Sequence, residues 1–101
     1  MLSNFRVYQA SIEFYQGCRK LSLPSELKDQ LNRASSSVSL NLAEGYGRIS
    51  KGDKKRFYRI ALGSLREGGA VFDLAGVRDP SLLALADYMG GGIYKLITRS
   101  P

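Results

Sequence analysis

Two carboxylates, Glu44 and Glu67, fall on consecutive helical segments of this chain. A facing carboxylate pair is the equipment for acid–base work on a sugar. No spacing motif accompanies the pair, and a small helical domain has little cleft, so a hydrolase has the least support of the readings below. The chain has no histidine and one cysteine, Cys18. Those counts exclude His- or Cys-based metal sites, a Ser-His-Asp triad and an internal disulfide. A carboxylate-bridged di-metal site calls for Glu-x-x-His, which is absent. Lys51-Gly52-Asp53 lacks the Gly-x-x-x-x-Gly-Lys-Ser/Thr pattern that cradles phosphate. No catalytic residue, metal site or cofactor is therefore expected. Cys18 lies on an apolar face with no base near it in sequence, which predicts a buried thiol.

Charge is the more informative chemistry. The chain carries 15 basic and 9 acidic residues, a net charge of +6. Arg48, Lys51, Lys54, Lys55, Arg56, Arg59 and Arg66 face only Asp53 within their stretch, and the remainder of the chain is balanced. So localised a field is either a footprint for a polyanion or a solvated helix face. Tyr46 and Tyr58 lie near it, and aromatic rings beside arginines either stack bases or cover a loop. A second group is a polar stripe, Arg33, Ser37, Asn41, Glu44 and Arg48, spanning about 80° beside an apolar seam. With Ser64 and Glu67 it reads as a network at the edge of the core that fixes helix register, the alternative being a ligand site. On this reading Asn41 and Glu44 are buried and bonded to the third helix or to the turn near Gly45.

The elements that position these groups follow from periodicity. With 101 residues, 44% hydrophobic and 24% charged, the chain reads as one globular domain over residues 1–101. In segment one Val7, Ala10, Phe14, Cys18 and Leu21 share a face. Phe5, Tyr8, Ile12 and Tyr15 form a second apolar flank that exceeds what one small core needs. Leu23-Pro24 ends that segment. In segment two the seam is Leu27, Leu31, Ala34, Val38 and Leu42, with Asn32, Ser35, Ser36 and Ser39 directed to water. Segment three opens at Ser50-Lys51-Gly52-Asp53, a capping box with Asp in place of Glu. Its face is Phe57, Ala61, Ser64, Leu65, Gly68, Val71, Phe72 and Ala75, with Lys55, Arg59 and Arg66 opposite. Asp79-Pro80 fits an N-cap followed by proline at the first helical position. In segment four Leu82, Leu85, Ala86, Met89, Ile93, Leu96 and Ile97 keep helical phase straight through Gly90-Gly91-Gly92, which predicts one helix. No alternating strand pattern occurs. Helices over about 4–21, 25–46, 51–76 and 80–98, joined by short loops, make an all-α, antiparallel up-down-up-down four-helix bundle.

Six glycines fall inside those helices: Gly63, Gly68, Gly69, Gly90, Gly91 and Gly92. Each costs up to ~1 kcal/mol relative to alanine. Close helix approach or oligomerisation must offset the loss, and the spare flank of segment one favours oligomerisation. The N-terminal residues are not a signal sequence, and no apolar run spans a membrane, so a cytoplasmic protein is expected.

With these residues laid out, the chain resembles the bacterial four-helix-bundle family of 23S-rRNA intervening-sequence proteins, which includes accessory proteins of diversity-generating retroelements. The match runs through Gln30-Leu31-Asn32-Arg33-Ala34, Ser37-Val38, Asn41-Leu42-Ala43-Glu44-Gly45 and Arg48. It continues through Arg56-Phe57, Ile60-Ala61, Gly63-Ser64 and Glu67, with Pro24 and the opening from Phe5 to Tyr8, over roughly residues 4–75. Asn-Leu-Ala-Glu-Gly at this distance from Gly-Ser-x-x-Glu is a specific signal. The chain departs from the pattern at Gly68-Gly69, where a larger residue is common, and at Gly90–Gly92. The resemblance implies a four-helix bundle that forms a ring-shaped homopentamer, and a nucleic-acid or ribonucleoprotein partner. Together the readings predict a non-enzymatic oligomeric binding protein with Arg48, Lys51, Lys54, Lys55, Arg56, Arg59 and Arg66 on nucleic acid. The alternative is a scaffold for an acidic protein partner.

Overall fold

A computed structural model describes residues 2 and 5–99. Four helices follow in order: α1 (Arg6–Arg19), α2 (Ser25–Gly47), α3 (Lys51–Ala75) and α4 (Pro80–Thr98). Each packs on its neighbours in sequence, and α1 also packs on α4, which closes a bundle 41 Å long and 21 Å across. The chain is thus an all-α four-helix bundle, with no strand among the described residues. The start expected for the first helix, residue 4, lies outside the described residues.

Local signals set the helix ends. Ser50 Oγ accepts from the Asp53 amide at 3.1 Å, and Asp79 Oδ1 accepts from the Leu82 amide at 3.1 Å, with Pro80 in the first turn. Gly76 stops α3 in the left-handed conformation, φ 69°, and the Val77 amide reaches back to the Phe72 carbonyl at 2.9 Å. That pairing satisfies carbonyls the last turn would leave bare, and only glycine adopts the angle without strain. Two lysines close the other ends. Lys28 Nζ donates to the carbonyls of Arg19 at 2.6 Å and of Leu21, and Lys54 Nζ donates to those of Tyr46 at 2.9 Å and Gly45 at 3.3 Å. Each sits on the helix after the one it caps, where its charge also complements the negative helix terminus.

The core follows the predicted seams. Val7, Ala10, Phe14, Cys18, Leu31, Ala34, Val38, Leu42, Ala61, Leu65, Val71, Phe72, Leu82, Met89 and Ile93 are all buried. α4 runs unbroken through Gly90–Gly92, because Met89 and Ile93 hold it to the core on either side. Two serine positions depart from the simple wheel. Ser35, expected toward water, is buried and donates to the Leu31 carbonyl of its own helix at 2.8 Å. Ser39, also expected outward, shares a 2.7 Å hydrogen bond with the buried Ser11 on α1. A serine that returns its hydroxyl to a nearby oxygen enters a helix interface without stranding a polar group.

Two glycines admit a neighbouring helix closely: Gly17, where a β-carbon would stand 2.6 Å from Leu82 Cδ2 of α4, and Gly45, where α2 meets α3. A β-carbon on Gly45 would stand 2.7 Å from Tyr58 Cε1 and 3.2 Å from the Lys54 carbonyl. Tyr58, buried at this crossing, stacks edge-on to Phe5 with ring centroids 6.3 Å apart, and Phe5 stacks on Tyr46 at 4.9 Å. Farther along, Leu31 touches Gly68 and Ser37 bonds Ser64, so the two helices run antiparallel in one register.

Close approach accounts for only some of the helical glycines. A side chain would meet Val7 at Gly92 and lie in ordinary contact at Gly68 and Gly90, whereas Gly63, Gly69 and Gly91 face open space. Alanine there should therefore raise stability by up to ~1 kcal/mol each, since it removes only the helical cost of glycine. Gly45→Ala should instead destabilise by about 1–2 kcal/mol, because overpacking against Tyr58 outweighs the same gain. Urea unfolding of Gly45→Ala and Gly63→Ala, read side by side, checks the opposite signs.

Candidate nucleic-acid interface

The seven cations singled out in the sequence divide by what they touch. Arg48 pairs with Glu44 at 2.7 Å, and its guanidinium lies 4.7 Å from the centre of the Phe57 ring. Arg56 covers the same ring at 4.4 Å and approaches Asp53 at 4.0 Å. Phe57 therefore has two guanidiniums within cation–π range. Lys54 is held by the end of α2 and stands 5.8 Å from the Tyr46 ring centre. These three belong to the α2–α3 turn before they belong to any ligand. Lys51, Lys55, Arg59 and Arg66 have no protein partner among the described residues. On the helical wheel they occupy one arc of about 80°, on the flank of the core-facing side of α3. Lys51, Arg59 and Arg66 are exposed and Lys55 is half-buried.

α3 turns this stripe outward for a simple reason. Tyr58, Ala61, Leu65, Gly68 and Phe72 occupy the inward arc, and the stripe lies about 100° round the helix from the centre of that arc, on a flank the core does not cover. At a rise of about 1.5 Å per residue, the stripe runs about 22 Å from Lys51 to Arg66. Its steps from Lys51 to Lys55 and from Lys55 to Arg59 are each about 6 Å along the axis. From Arg59 to Arg66 the step is longer, about 10 Å, and none of the four cations has a carboxylate partner among the described residues.

The polar stripe on α2 takes a different form from the expected network. Ser37 and Ser64 share a 2.8 Å hydrogen bond between α2 and α3. Asn41 is half-buried, and its amide donates to the Ser37 carbonyl at 2.9 Å and the Ser37 hydroxyl at 3.1 Å. It reaches helix three only through that serine. Glu44 is exposed and bonds Arg48 one turn on, not helix three. Both ends of such a pair stay hydrated, so the ion pair avoids the cost of burying charge. Arg33 and Glu67 are exposed, with no partner among the described residues. Of the five network residues, Asn41 and Ser64 are joined through Ser37, and Arg33, Glu44 and Glu67 stand apart from them.

The same register bears on acid–base chemistry. With Ser37 opposite Ser64, Glu44 and Glu67 lie about 15 Å apart along the bundle axis. Glycosidase carboxylates stand about 5–9.5 Å apart, so this pair does not bracket one glycosidic bond. The two tyrosines near the basic stretch are also otherwise engaged. Tyr58 is buried against Gly45, and Tyr46 stacks on Phe5. Burial and, secondarily, the neighbouring Tyr46 raise the Tyr58 hydroxyl above the ordinary tyrosine value. The sequence reading missed Ser11 and Ser39 as a contact between α1 and α2; two serines in phase on facing helices were the available signal.

Cys18 is fully buried, and loss of solvation pushes its thiol up to about 12, against a small opposing effect of Lys28. Folding therefore holds the proton that the unfolded chain releases near 9.0. The stability this contributes is complete below pH 9 and is lost as pH rises toward 12. Relative to wild type, a Cys18→Ala variant should lose less stability between those pH values, as read by urea unfolding. Iodoacetamide at pH 8 should label the folded wild type only after denaturant is added.

No helix among the described residues is long and apolar enough to cross a membrane. No curated protein matches the chain. Residues 3–79 match the family described as 23S rRNA-intervening sequence protein. That span holds α1, α2, α3 and the turn into α4, and so contains the Gly45–Tyr58 crossing, the Ser37–Ser64 bond and the whole basic stripe. By this match over most of its length, the chain belongs to the family of 23S rRNA-intervening sequence proteins.

Proposed function

We propose that this protein is a non-enzymatic, homo-oligomeric binding protein whose partner is nucleic acid or a ribonucleoprotein, held through the basic face of α3. The observation that carries the reading is the line of Lys51, Lys55, Arg59 and Arg66 along one helix face, without carboxylate partners. The family's association with rRNA supports a polyanionic partner. The wide separation of Glu44 and Glu67, and the engagement of Glu44 by Arg48, support a role in binding and not in hydrolysis.

Exposed apolar residues support oligomerisation. The flank of α1 expected to be spare is half-buried within the bundle at Phe5, Tyr8, Ile12 and Tyr15. The apolar side chains most open to water lie elsewhere: Leu40 is 69% exposed, Ile49 97% and Leu74 74%, on α2, α3 and the turn between them, while Leu83, Tyr88 and Tyr94 are exposed on α4. Ile60 joins them on α3. A second copy seated there would remove this surface from water. A ring, the assembly the family resemblance implies, would repeat the basic line on every subunit. Weak contacts of a few phosphates each would then multiply through effective concentration. Light scattering at micromolar concentration should show an oligomer, with a pentamer as the expected size; a stable monomer overturns the assembly.

Binding on this reading is broad in sequence and steeply dependent on salt. Each neutralised phosphate contributes about −0.9 to the log–log salt slope on duplex DNA and about −0.7 on single strands. Lys55→Glu with Arg59→Glu should flatten that slope and weaken binding while leaving helicity unchanged. Titration of labelled RNA and DNA across a salt series, with circular dichroism of both proteins, checks this. If the wild-type oligomer binds neither nucleic acid at low salt, the face is a dock for an acidic protein.

A further inference from the structure

The basic line does not end in open solvent. Below Arg66 the same face of α3 continues as Gly69, Ala70 and Asp73, and here it forms one wall of a groove against α4. The groove encloses about 390 Å³. Phe72, Val77, Leu83 and Ala86 supply apolar lining, while Arg66, Arg78 and Asp73 supply its charged groups. Arg66 thus belongs both to the line of cations and to the wall of the groove. Arg78 enters from the loop between α3 and α4, and neither arginine has a carboxylate partner among the described residues. Gly69 contributes no side chain, and a β-carbon there would meet nothing within 4 Å.

From this juxtaposition we infer that the protein selects single-stranded over duplex nucleic acid, seating one unpaired base in the α3–α4 groove beside Arg66. The inference rests on the reading of the basic face as a phosphate-binding surface. The groove suits such an occupant on three counts. Its lining is apolar, so it removes a base's ring faces from water. Arg66 and Arg78 offer planar guanidiniums able to stack on a base or hold its flanking phosphates. Asp73 offers an acceptor for a base amino group.

A duplex has no base to give. Its bases are paired and stacked inside, and the major groove of A-form RNA is too deep and narrow for side chains to read. It can engage Lys51, Lys55, Arg59 and Arg66 through phosphates alone. A single strand laid along α3 engages those residues and adds the groove. Lys51, Lys55 and Arg59 follow at about 6 Å along the axis, and Arg66 stands about 10 Å beyond them beside the groove.

The test fills the groove without touching its charge. Gly69→Leu places a side chain in open space and replaces a helical glycine, so the helix is kept; Ala70→Leu is a second, independent plug. A short unstructured RNA, fluorescently labelled, is titrated alone and annealed to its complement, at one low salt concentration. Wild type should bind the single strand about tenfold more tightly than the duplex, the low end of what one sequestered base contributes. Both plugged variants should lose that preference and keep duplex affinity. Equal binding of strand and duplex by wild type overturns the inference, as does a preference that survives both plugs; each leaves the phosphate-binding reading standing. Absence of binding to either form overturns both. Circular dichroism of each variant confirms that the bundle is intact.

Discussion

The contact on which the rest of this bundle depends is the ring of Tyr58 lying against the bare backbone of Gly45. A single added carbon there would collide with the Tyr58 ring and press tightly on the Lys54 carbonyl. The approach has consequences in each direction. It brings Lys54 within reach of the carbonyls that end α2, where it adds to the Arg48 amide, which donates to the Gly45 carbonyl at 3.2 Å. It gathers Phe5 and Tyr46 around Tyr58, which ties the start of α1 to the same end. It also sets the register that puts Ser37 beside Ser64 and Leu31 beside Gly68. The glycine of Asn41-Leu42-Ala43-Glu44-Gly45, the string that most strongly marks the family resemblance, therefore has a packing reason.

The basic stretch serves two purposes that its composition does not separate. Lys54 belongs to the end of α2, Arg48 to Glu44 and Phe57, and Arg56 to Phe57. These contacts build the turn that aims α3. The remaining cations stand on the face that the turn directs outward. Substitution within the first group acts on the fold before it acts on a ligand, whereas the second group contributes little to packing. A charge count over the stretch treats all seven alike.

Serine hydroxyls take part in holding the helices where a purely apolar seam would be expected. Ser11 with Ser39, and Ser37 with Ser64, place pairs of small polar side chains between adjacent helices. Each such bond is worth only about 1 kcal/mol net. Their value lies in direction: a slipped register would strand the hydroxyls, while leucines tolerate a slip more readily. The large apolar residues left exposed outside this scheme lie on α2, α3 and their turn, at Leu40, Ile49, Ile60 and Leu74, and on α4, at Leu83, Tyr88 and Tyr94, and not on α1 among the described residues.

The four helices, their ends and most of the core were legible in the sequence, because each rests on local periodicity. Ser50, Asp79 and Pro80 announce helix starts through bonds within one turn, and the phase of Met89 and Ile93 carries α4 across three glycines. The basic face was legible for the same reason, as positions on one helix share an orientation that the wheel gives directly. Tertiary structure alone decided the rest. Whether Asn41 and Glu44 are buried depends on how far α2 and α3 interlock, and Glu44 lies just beyond that seam. Whether Tyr58 is a surface ring or a packed one depends on a glycine thirteen residues away. Whether the flank of α1 is spare depends on how much of it the other helices cover. Periodicity states which side of a helix a residue occupies; the distance to the next helix, which determines burial and pairing, is set by contacts between residues remote in the chain.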